Sequence, residues 1–357
     1  MSVKIVVAVD SFKGCLSSAM AAEAVAMGVS DALPGAEIIK VPVADGGEGT
    51  VDALAPDSKI TVTVSDPLGR PVEAVYGIVG DTAIVEVAAA CGLALLKPEE
   101  RNPLLTTTKG VGEMLMDAIG RGCRKILVGL GGSATNDGGR GMVEVPGLLE
   151  SAGAVEFTVA CDVDTPFVGP SGASRVFGPQ KGASPGDVEI LERRLEDYAA
   201  KIEEETGVDV RNMPGAGAAG GLGGAFCAYF GAGLRRGVDM VLDAIGFDDI
   251  LKGADLVITG EGRSDFQTPK GKTPSGVLER ARRQCIPAAL ISGAVQDCPE
   301  LRGMGFCSIR AATPPGMPLD VALDPETASA NIRNASDRLC RSLETLCVNC
   351  SEAEKNK

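Results

Sequence analysis

The stretch KIVVAVD, residues 4–10, decides the fold class. Its five consecutive apolar residues end in an acid, which is the pattern of a strand buried on both faces in a parallel sheet. Residues 36–45, AEIIKVPVAD, form a second such strand that again ends in an acid. The helix predicted between them ends at Pro34-Gly35, and its inward face is expected to carry Leu16, Met20, Ala24 and Met27. This β–α–β start predicts an open, doubly wound sheet.

Short apolar strands alternating with helices return near the C-terminus, with strands predicted at 254–260, 288–293 and 305–311. The middle of the chain differs, because two strands meet at a Gly80-Asp81 turn and a capping box at Ser184 begins a long helix. We therefore expect an α/β fold with two domains. Both chain ends, 1–64 and 238–357, would form a Rossmann-like domain with a doubly wound parallel sheet, and 65–237 would form an inserted α/β domain with a mixed sheet.

The composition excludes several classes of function. The chain has 357 residues, a net charge of −14 and 3% aromatic residues, so it lacks the basic surface and stacking rings of a nucleic-acid binder. No apolar run reaches the length of a membrane span, and the N-terminus is a strand rather than a signal peptide. Eleven scattered Cys residues are typical of reduced thiols, so we expect a cytoplasmic protein. Because His is absent, a proton acceptor has to be a carboxylate, Lys, Cys or Tyr.

The segment GEGRSDFQTPKGKT, residues 260–273, ends like a phosphate-binding P-loop. A P-loop needs a Gly five positions before Gly271, so that backbone N–H groups can surround phosphate oxygens, but Phe266 stands there. The segment is therefore not a Walker A loop, although Lys272 can still contact phosphate. The first strand is also followed by a single nearby Gly, which argues against a dinucleotide site and a dehydrogenase.

Three predicted strand ends carry charged residues beside Gly turns. They are Asp10-Ser11-Phe12-Lys13-Gly14, Asp45-Gly46-Gly47-Glu48-Gly49 and Glu261-Gly262-Arg263-Ser264-Asp265. One acid after a strand is most often a helix cap or a turn former. Since ligands of open α/β sheets bind beyond the carboxyl ends of the strands, three such ends together indicate a functional site.

Three further stretches lie in the middle domain. GLGGSATNDGG, residues 129–139, has Gly residues that allow backbone N–H groups to approach an anion, and Asn and Asp that could hold Mg²⁺ or a substrate hydroxyl. GAGAAGGLGG, residues 215–224, fits a ligand loop or a close packing of small residues equally well. FGPQKGAS, residues 177–184, places Lys181 ahead of a capped helix, where an anion could bind.

The motifs DSFKG, PVADGGEGT, GLGGSATNDGG, CDVD, VFGPQKGA, GAGAAGGLG and GEGR with its downstream GKTP occur in this order. Together they closely resemble the bacterial-type (class I) glycerate kinases, and the likeness extends from Lys4 to the last predicted helix. The resemblance implies two α/β domains with a cleft between them, ATP with Mg²⁺, and D-glycerate as the small-molecule substrate. It also implies 2-phosphoglycerate as the usual product.

Two positions depart from the family pattern. Only VEVPGLLESAGA separates GGRGM from VEFTVACDVD, so the second domain is expected to be shortened near 142–156. Cys15 stands where family members often have Ser. Two other functions therefore stay open: a non-catalytic ligand-binding relative impaired by the shortened domain, and a kinase for another small hydroxy acid. The oligomeric state cannot be read from the sequence, and a homodimer is only the general expectation.

The resemblance and the demands of phosphoryl transfer imply catalytic roles for four residues. Asp10 is expected to accept the proton of the glycerate hydroxyl. Lys13, like Lys272, is expected to contact phosphate. Asp45 or Asp137 would hold Mg²⁺.

Binding roles follow in the same way. Either Arg70 or Arg263 could hold the substrate carboxylate through paired hydrogen bonds. The predicted substrate-binding set is Ser11, Arg70, Glu261, Arg263 and Asp265. The predicted nucleotide- and phosphate-binding set is Gly46, Gly47, Gly131, Gly132, Ser133, Thr135, Asn136, Lys181 and Lys272.

Overall fold

The computed structural model describes the backbone of residues 2–355 and the side chains of residues 2–342. The chain forms two compact units. Unit 1 contains the chain up to Asp45 and from Val241 onward, and unit 2 contains Gly46–Met240. Residues 46–64 thus belong to unit 2, whereas the division predicted from the sequence placed them in the first domain.

Thirteen strands lie within the described backbone. In chain order they are β1 (Lys4–Val9), β2 (Glu37–Lys40), β3 (Lys59–Ser65), β4 (Pro71–Val79), β5 (Thr82–Glu86), β6 (Lys125–Gly129), β7 (Glu156–Ala160), β8 (Gly233–Arg235), β9 (Leu256–Gly260), β10 (Arg263–Ser264), β11 (Ala288–Ser292), β12 (Ala294–Val295) and β13 (Ser308–Ala311).

Residues 2–355 also contain fifteen α-helices and three short 3-10 helices. The α-helices are α1 (Ser18–Ala32), α2 (Thr50–Leu54), α3 (Ala88–Cys91), α4 (Lys109–Gly120), α5 (Arg140–Val143), α6 (Leu148–Ala152), α7 (Ala173–Phe177), α8 (Pro185–Thr206), α9 (Ala218–Phe230), α10 (Gly237–Ala244), α11 (Phe247–Ile250), α12 (Thr273–Arg283), α13 (Pro299–Gly303), α14 (Leu319–Ala322) and α15 (Pro325–Lys355). The 3-10 helices are Leu93–Leu95, Pro98–Glu100 and Pro179–Lys181. None of the described helices is both long enough and apolar enough to cross a lipid bilayer.

The main sheet of unit 1 is all-parallel, with the strand order β13-β11-β9-β1-β2. β9 and β11 are buried along their whole length, as expected for strands covered on both faces. α1 and α15 pack on the face that carries Ile5, Val7 and Val9, and α12 packs against β1, β9 and β11. The prediction of a doubly wound parallel sheet made from both chain ends is confirmed.

The inward face of α1 differs from the one expected from its sequence. Met20 and Met27 are exposed, and the buried positions are mainly Ala and Val together with Gly28. A Cβ atom on Gly28 would lie 2.1 Å from the carbonyl oxygen of Arg333 in α15. The two helices approach so closely that only small residues fit between them, so the larger Met side chains turn outward.

The sheet of unit 2 is mixed, with the order β3-β4-β5-β6-β7-β8. β3, β4 and β5 are antiparallel neighbours, while the pairs from β5 to β8 are parallel. The predicted mixed sheet and the turn at Gly80-Asp81 are confirmed. α8 begins at the predicted capping box, where the Asp187 N–H donates to Ser184 Oγ at 3.2 Å. Between β6 and β7, where a shortened segment was predicted, the chain forms the short helices α5 and α6.

Candidate active site

The topology of unit 1 fixes where its ligand crevice lies. From β1 the chain passes through α1 to β2 on one side, whereas from β9 it passes through α12 to β11 on the other side. The strand order therefore reverses between β1 and β9, and ligands of open α/β sheets bind at such a reversal, beyond the carboxyl ends of the strands. Val9 pairs with Gly260 at this edge, so Asp10 and Glu261 leave the sheet side by side.

Asp10 is a buried carboxylate with fixed hydrogen-bond partners. Its Oδ2 accepts a hydrogen bond from the Thr273 hydroxyl at 2.6 Å, and its Oδ1 accepts one from the Ser11 N–H at 2.6 Å. Burial raises the pKa of Asp10 to about 7; the charge of Asp45 adds to this rise, while the hydrogen bonds and Lys13 oppose it. The carboxyl group can therefore take up and release a proton near neutral pH.

Lys13 and Asp45 lie beside this carboxyl group. The Nζ of Lys13 is 3.9 Å from Asp45 Oδ2, and the Lys13 side chain is 61% exposed. An exposed ammonium group at this distance costs little to move, since such surface pairs contribute at most about 1 kcal/mol. Lys13 is thus free to turn toward an anion that enters the cavity.

Glu261 and Lys272 form the second charged pair at this edge. Glu261 Oε1 accepts hydrogen bonds from the hydroxyl groups of Ser264 (2.8 Å) and Thr268 (2.7 Å), and its Oε2 is 3.0 Å from Lys272 Nζ. Lys272 Nζ also donates to the carbonyl oxygen of Arg263 at 3.3 Å. The Glu261 side chain is 9% exposed and that of Lys272 is 30% exposed, so the buried carboxylate orients an ammonium group that remains accessible from the cavity.

One cavity of about 400 Å³ collects most of the residues predicted in unit 1. Its lining includes seven of the predicted residues: Asp10, Ser11, Lys13, Asp45, Glu261, Arg263 and Lys272. Asp265, by contrast, accepts a hydrogen bond from the Gln267 N–H (2.9 Å) and lies 3.6 Å from the Arg263 guanidinium. The structure thus gathers acids and cations from three strand ends around one space.

The predicted glycine residues of unit 2 lie at the carboxyl end of β6. Gly46 has φ +82°, and a Cβ atom there would be 2.5 Å from the Cβ of Ala160. A Cβ atom on Gly131 would be 3.3 Å from the Cα of Gly47, so the two loops are in contact. Gly131 and Gly132 are exposed, and their backbone is accessible to an anion.

Ser133, Thr135 and Lys181 lie inside unit 2. The hydroxyl groups of Ser133 and Thr135 are 2.8 Å apart, and the Thr135 carbonyl accepts a hydrogen bond from Lys181 Nζ at 2.6 Å. Lys181 is only 2% exposed, and burial lowers its pKa to about 8. These three side chains support the glycine loop from within, and Lys181, predicted from the sequence to contact an anion ahead of α8, is buried and donates to the Thr135 carbonyl instead of standing exposed.

Asp137 and Asn136 have different environments. Asp137 Oδ2 accepts hydrogen bonds from the Thr108 N–H (2.8 Å), the Thr108 hydroxyl (2.9 Å) and the Gly141 N–H (3.1 Å), and its Oδ1 accepts one from the Gly139 N–H (3.1 Å). The carboxylate thus anchors two loops. Asn136 donates to Ser174 Oγ at 3.0 Å, and within the described residues its buried Oδ1 has no partner. Both residues line a second cavity, of about 410 Å³, that lies within unit 2.

The glycine-rich segment 215–224 packs closely against this loop. Gly220 and Gly221 have φ values of +73° and +96°, and a Cβ atom on Gly220 would lie 2.0 Å from the carbonyl oxygen of Thr135. The sequence fitted a ligand loop and a close packing of small residues equally well, and the structure favours close packing at these positions.

Arg70 is engaged by two carboxylates of unit 2. Its Nε is 2.6 Å from Asp66 and its Nη1 is 2.7 Å from Glu100, so both sides of the guanidinium fork are used. Arg263 is more available, since it is largely exposed at the mouth of the unit 1 cavity. Between the two predicted carboxylate-binding arginines, the geometry favours Arg263.

Sequence reasoning missed two hydroxyl groups that position carboxylates. Thr273 is 263 residues from Asp10 in the chain, and Thr108 is 29 residues from Asp137. No local pattern reveals such pairs, although Thr273 belongs to the GKT triplet that the sequence had singled out.

The residues present fit a magnesium ion only in part. Within residues 2–342, no three His, Cys, Asp or Glu side chains are grouped so that they could hold a metal ion. Mg²⁺, however, is usually held by one or two carboxylates together with substrate phosphates and water. Asp45 lines the unit 1 cavity with a carboxylate that is 25% exposed, whereas Asp137 already accepts four hydrogen bonds. Asp45 is therefore the better of the two predicted ligands.

Comparison with known proteins gives a consistent result. The model of the glycerate kinase family matches residues 5–149 and 143–344. A glycerate kinase of Bacillus subtilis (strain 168) is 42% identical over 355 residues, covering 90% of this chain and 93% of the relative. A glycerate 2-kinase of Escherichia coli (strain K12) is 42% identical over 327 residues, covering 82% and 86%. A crystal structure assigned as glycerate kinase 2 of Salmonella typhimurium LT2 matches with a TM-score of 0.87 and 40% identity, covering 97% of this chain and 99% of that one. The chain belongs to the glycerate kinase family and is an enzyme of the kinase class.

Proposed function

We propose that this enzyme transfers the terminal phosphoryl group of ATP to the 2-hydroxyl group of D-glycerate. The observation that carries the proposal is the unit 1 cavity, where the buried Asp10 lies at the reversal of the strand order with Lys13, Asp45, Glu261 and Lys272 around it. Phosphoryl transfer requires mainly positioning and neutralisation of charge, and this cavity offers cations beside a proton acceptor. The name of the Escherichia coli relative supports the 2-hydroxyl group over the 3-hydroxyl group.

Asp10 accepts the proton that leaves the glycerate hydroxyl group. A base has to be held within hydrogen-bond reach of that proton, and the Thr273 hydroxyl and the Ser11 N–H fix the orientation of the carboxylate. The other oxygen lone pairs remain for the substrate. With no His in the chain, no imidazole competes for this role.

Lys13 and Lys272 contact the phosphoryl group as charge accumulates on its oxygens. Lys272 is held in place by Glu261 and the Arg263 carbonyl, whereas Lys13 is exposed and turns inward. Arg263 binds the substrate carboxylate, for which its planar guanidinium group is suited. Ser11 completes the substrate side of the cavity, and Asp265 keeps Arg263 oriented.

Asp45 would hold Mg²⁺. When bound, the ion would neutralise phosphate charge, as it does in phosphoryl-transfer enzymes generally. In unit 2, the exposed backbone of Gly131 and Gly132 is the candidate for anion contacts, and Gly46, Gly47, Ser133, Thr135 and Lys181 shape that loop. Asn136 offers its unpartnered Oδ1 to a ligand donor. A cytoplasmic location and a homodimer stay predictions from the sequence.

The test is release of ADP from ATP, Mg²⁺ and D-glycerate, with phosphorus NMR of the product. We expect 2-phosphoglycerate; phosphorylation at the other hydroxyl group would correct the product, and a better substrate in a panel of small hydroxy acids would correct the acceptor. Asp10→Asn and Lys13→Ala are expected to lower kcat by about a hundredfold or more, since one such contact contributes several kcal/mol to the transition state. Lys40→Ala is the control, because Lys40 is also a half-exposed lysine paired with a carboxylate in unit 1 but lies outside the cavity. Near wild-type turnover of the folded Asp10 and Lys13 variants would refute these roles.

A further inference from the structure

The unit 1 cavity has a second half that the proposed chemistry does not use. Besides the charged residues, its lining includes a set of aliphatic residues from the C-terminal part of the chain: Ala312, Leu319, Ala322, Leu323, Ala328 and Ile332. These residues come from the loop after β13, from α14 and from the start of α15. A cavity with one charged and one aliphatic half is suited to a ligand that has the same two parts.

Two leucines of this wall are unusually accessible. Leu319 is 73% exposed and Leu323 is 42% exposed, although both border the cavity. Exposed apolar residues are common on protein surfaces, so the exposure counts here only because these two side chains also border the cavity, where a ligand would cover them. Both belong to α14 and the residue directly after it, so the same short element carries them.

The aliphatic half also contains two polar groups suitable for the edge of a heteroaromatic ring. The hydroxyl group of Thr313 and the amide group of Asn331 line the cavity. The Asn331 amide has both N–H donors and a carbonyl acceptor, and its Nδ2 donates only to Met317 Sδ, a weak acceptor, at 3.4 Å. An apolar wall with a few placed polar groups is the usual composition of a small-molecule site.

The acceptor substrate cannot fill this space. D-glycerate has about seven non-hydrogen atoms, an oxygen on each of its three carbons, and the charged half suffices for it, whereas the whole cavity measures about 400 Å³. The volume is in the range of sites that bind ligands of nucleotide size, roughly 300–1,000 Å³. The remaining occupant has to be partly flat and apolar and to continue into an anionic part.

We infer that the purine base of the nucleoside triphosphate lies in this aliphatic half, between Leu323 of the α14 side and Ile332 of α15, with its phosphates toward Lys13 and Lys272. The inference rests on the proposed function, since it places the phosphoryl donor of that reaction. The aliphatic side chains contact the faces of the base, and Thr313 and Asn331 meet its polar edge. Unit 1 thus carries both Asp10, which accepts the proton, and the binding site of the nucleotide.

The test compares two substitutions on the same short element. Leu323→Ala removes a wall of the cavity, and Val321→Ala is the matched control, because Val321 is equally exposed at 42% but does not line the cavity. For Leu323→Ala we expect the KM for ATP to rise about five- to thirtyfold, from the lost apolar contact. The KM for D-glycerate and kcat should stay within about twofold, and the control should be unchanged. Because both side chains are substantially exposed, neither substitution is expected to impair folding.

A binding measurement without turnover separates this inference from the proposed function. Saturation-transfer NMR with ADP and irradiation of the Leu and Ile methyl region should label the adenine protons in the wild type, and less so in Leu323→Ala. If the wild type is inactive but Leu323→Ala binds ADP more weakly than the wild type does, the purine site is upheld and the proposed reaction is refuted. An active wild type in which Leu323→Ala and Val321→Ala bind ADP alike would refute the base site and leave the reaction standing.

Discussion

Replacing Asp10 by Asn should stabilise unit 1 at alkaline pH and at the same time abolish most of the activity. In the folded protein, burial and then the charge of Asp45 raise the pKa of Asp10 from 3.8 to about 7. The folded state therefore binds more protons than the unfolded state between these two pH values, and stability is lost as the pH rises through that window. About 7 minus 3.8 is about 3 pKa units, which at 1.36 kcal/mol per unit corresponds to about 4 kcal/mol.

The amide side chain of the Asp10→Asn variant carries no charge at any pH, so the variant avoids this cost. Relative to the wild type, we expect Asp10→Asn to gain up to about 4 kcal/mol between pH 4 and pH 8, with little difference at pH 4. The gain is an upper bound, because the amide replaces only part of the hydrogen bonding by Thr273 and Ser11. The opposite sign of the effects on stability and on kcat is the mark of a residue kept for function.

The assay has to report on unit 1 alone. Trp is absent, and the three Tyr residues, Tyr76, Tyr198 and Tyr229, all lie in unit 2, so intrinsic fluorescence follows the wrong unit. Amide hydrogen exchange of peptides from β1 and β9 is suitable, since these buried strands open only when the unit unfolds. At pH 8 a difference of about 4 kcal/mol would slow their exchange by about three orders of magnitude. The buffer should contain a chelator, so that no cation neutralises the carboxylates.

Asp66 of unit 2 provides a control with the opposite sign. It is buried like Asp10, but N–H donors of Arg70 and Leu68 outweigh that burial and hold its pKa below the usual value. Asp66→Asn should therefore destabilise unit 2 at neutral pH, and this loss of stability should become smaller as the pH falls. If Asp10→Asn instead lost stability at pH 8, or if its effect did not depend on pH, the assignment of a raised pKa to Asp10 would be wrong.

Three other predictions address neighbouring groups. Asp45→Asn removes the charge that helps to raise the pKa of Asp10, so in chelator-containing buffer unit 1 of the variant should lose less stability than that of the wild type as the pH rises from 4 to 8, followed by hydrogen exchange of β1 and β9. Lys181→Met leaves the Thr135 carbonyl without its donor and should lower the thermal midpoint of unit 2, which Tyr fluorescence can follow. The difference in stability from the wild type should grow from pH 8 to pH 10, because the lowered pKa of Lys181 makes the wild type gain stability over that range. Gly46→Ala should destabilise unit 2 by about 2 kcal/mol or more in denaturant unfolding, since φ is +82° and the new Cβ would overlap Ala160.

The sequence allowed the fold class and the charged edge of unit 1 to be predicted for a simple reason. Apolar runs that end in acids identify parallel strands, and the carboxyl ends of such strands meet at one edge, so Asp10 and Glu261 could be placed together without any contact map. Lys181 shows where this reasoning stops. A lysine ahead of a capped helix is normally exposed, and only tertiary packing buries this one beneath the Thr135 carbonyl. The hydrogen-bond donors to Asp137 at Thr108 and Gly141 likewise come from other turns, so the sequence did not reveal that this predicted metal ligand already has hydrogen-bond partners.

The GKT triplet at 271–273 shows how a misleading motif can still lie at the centre of the site. It lacks the spacing of a P-loop, yet its two side chains reach two different strand ends: Lys272 pairs with Glu261 after β9, and the Thr273 hydroxyl group donates to Asp10 after β1. Both residues are at the start of α12, which packs on β1, β9 and β11. A displacement of this helix would therefore disturb the proposed proton acceptor and a proposed phosphate-binding cation together. The triplet thus links the two strand ends although it lacks the spacing of a P-loop, and Thr273 is the residue whose loss should affect Asp10 without removing any charge.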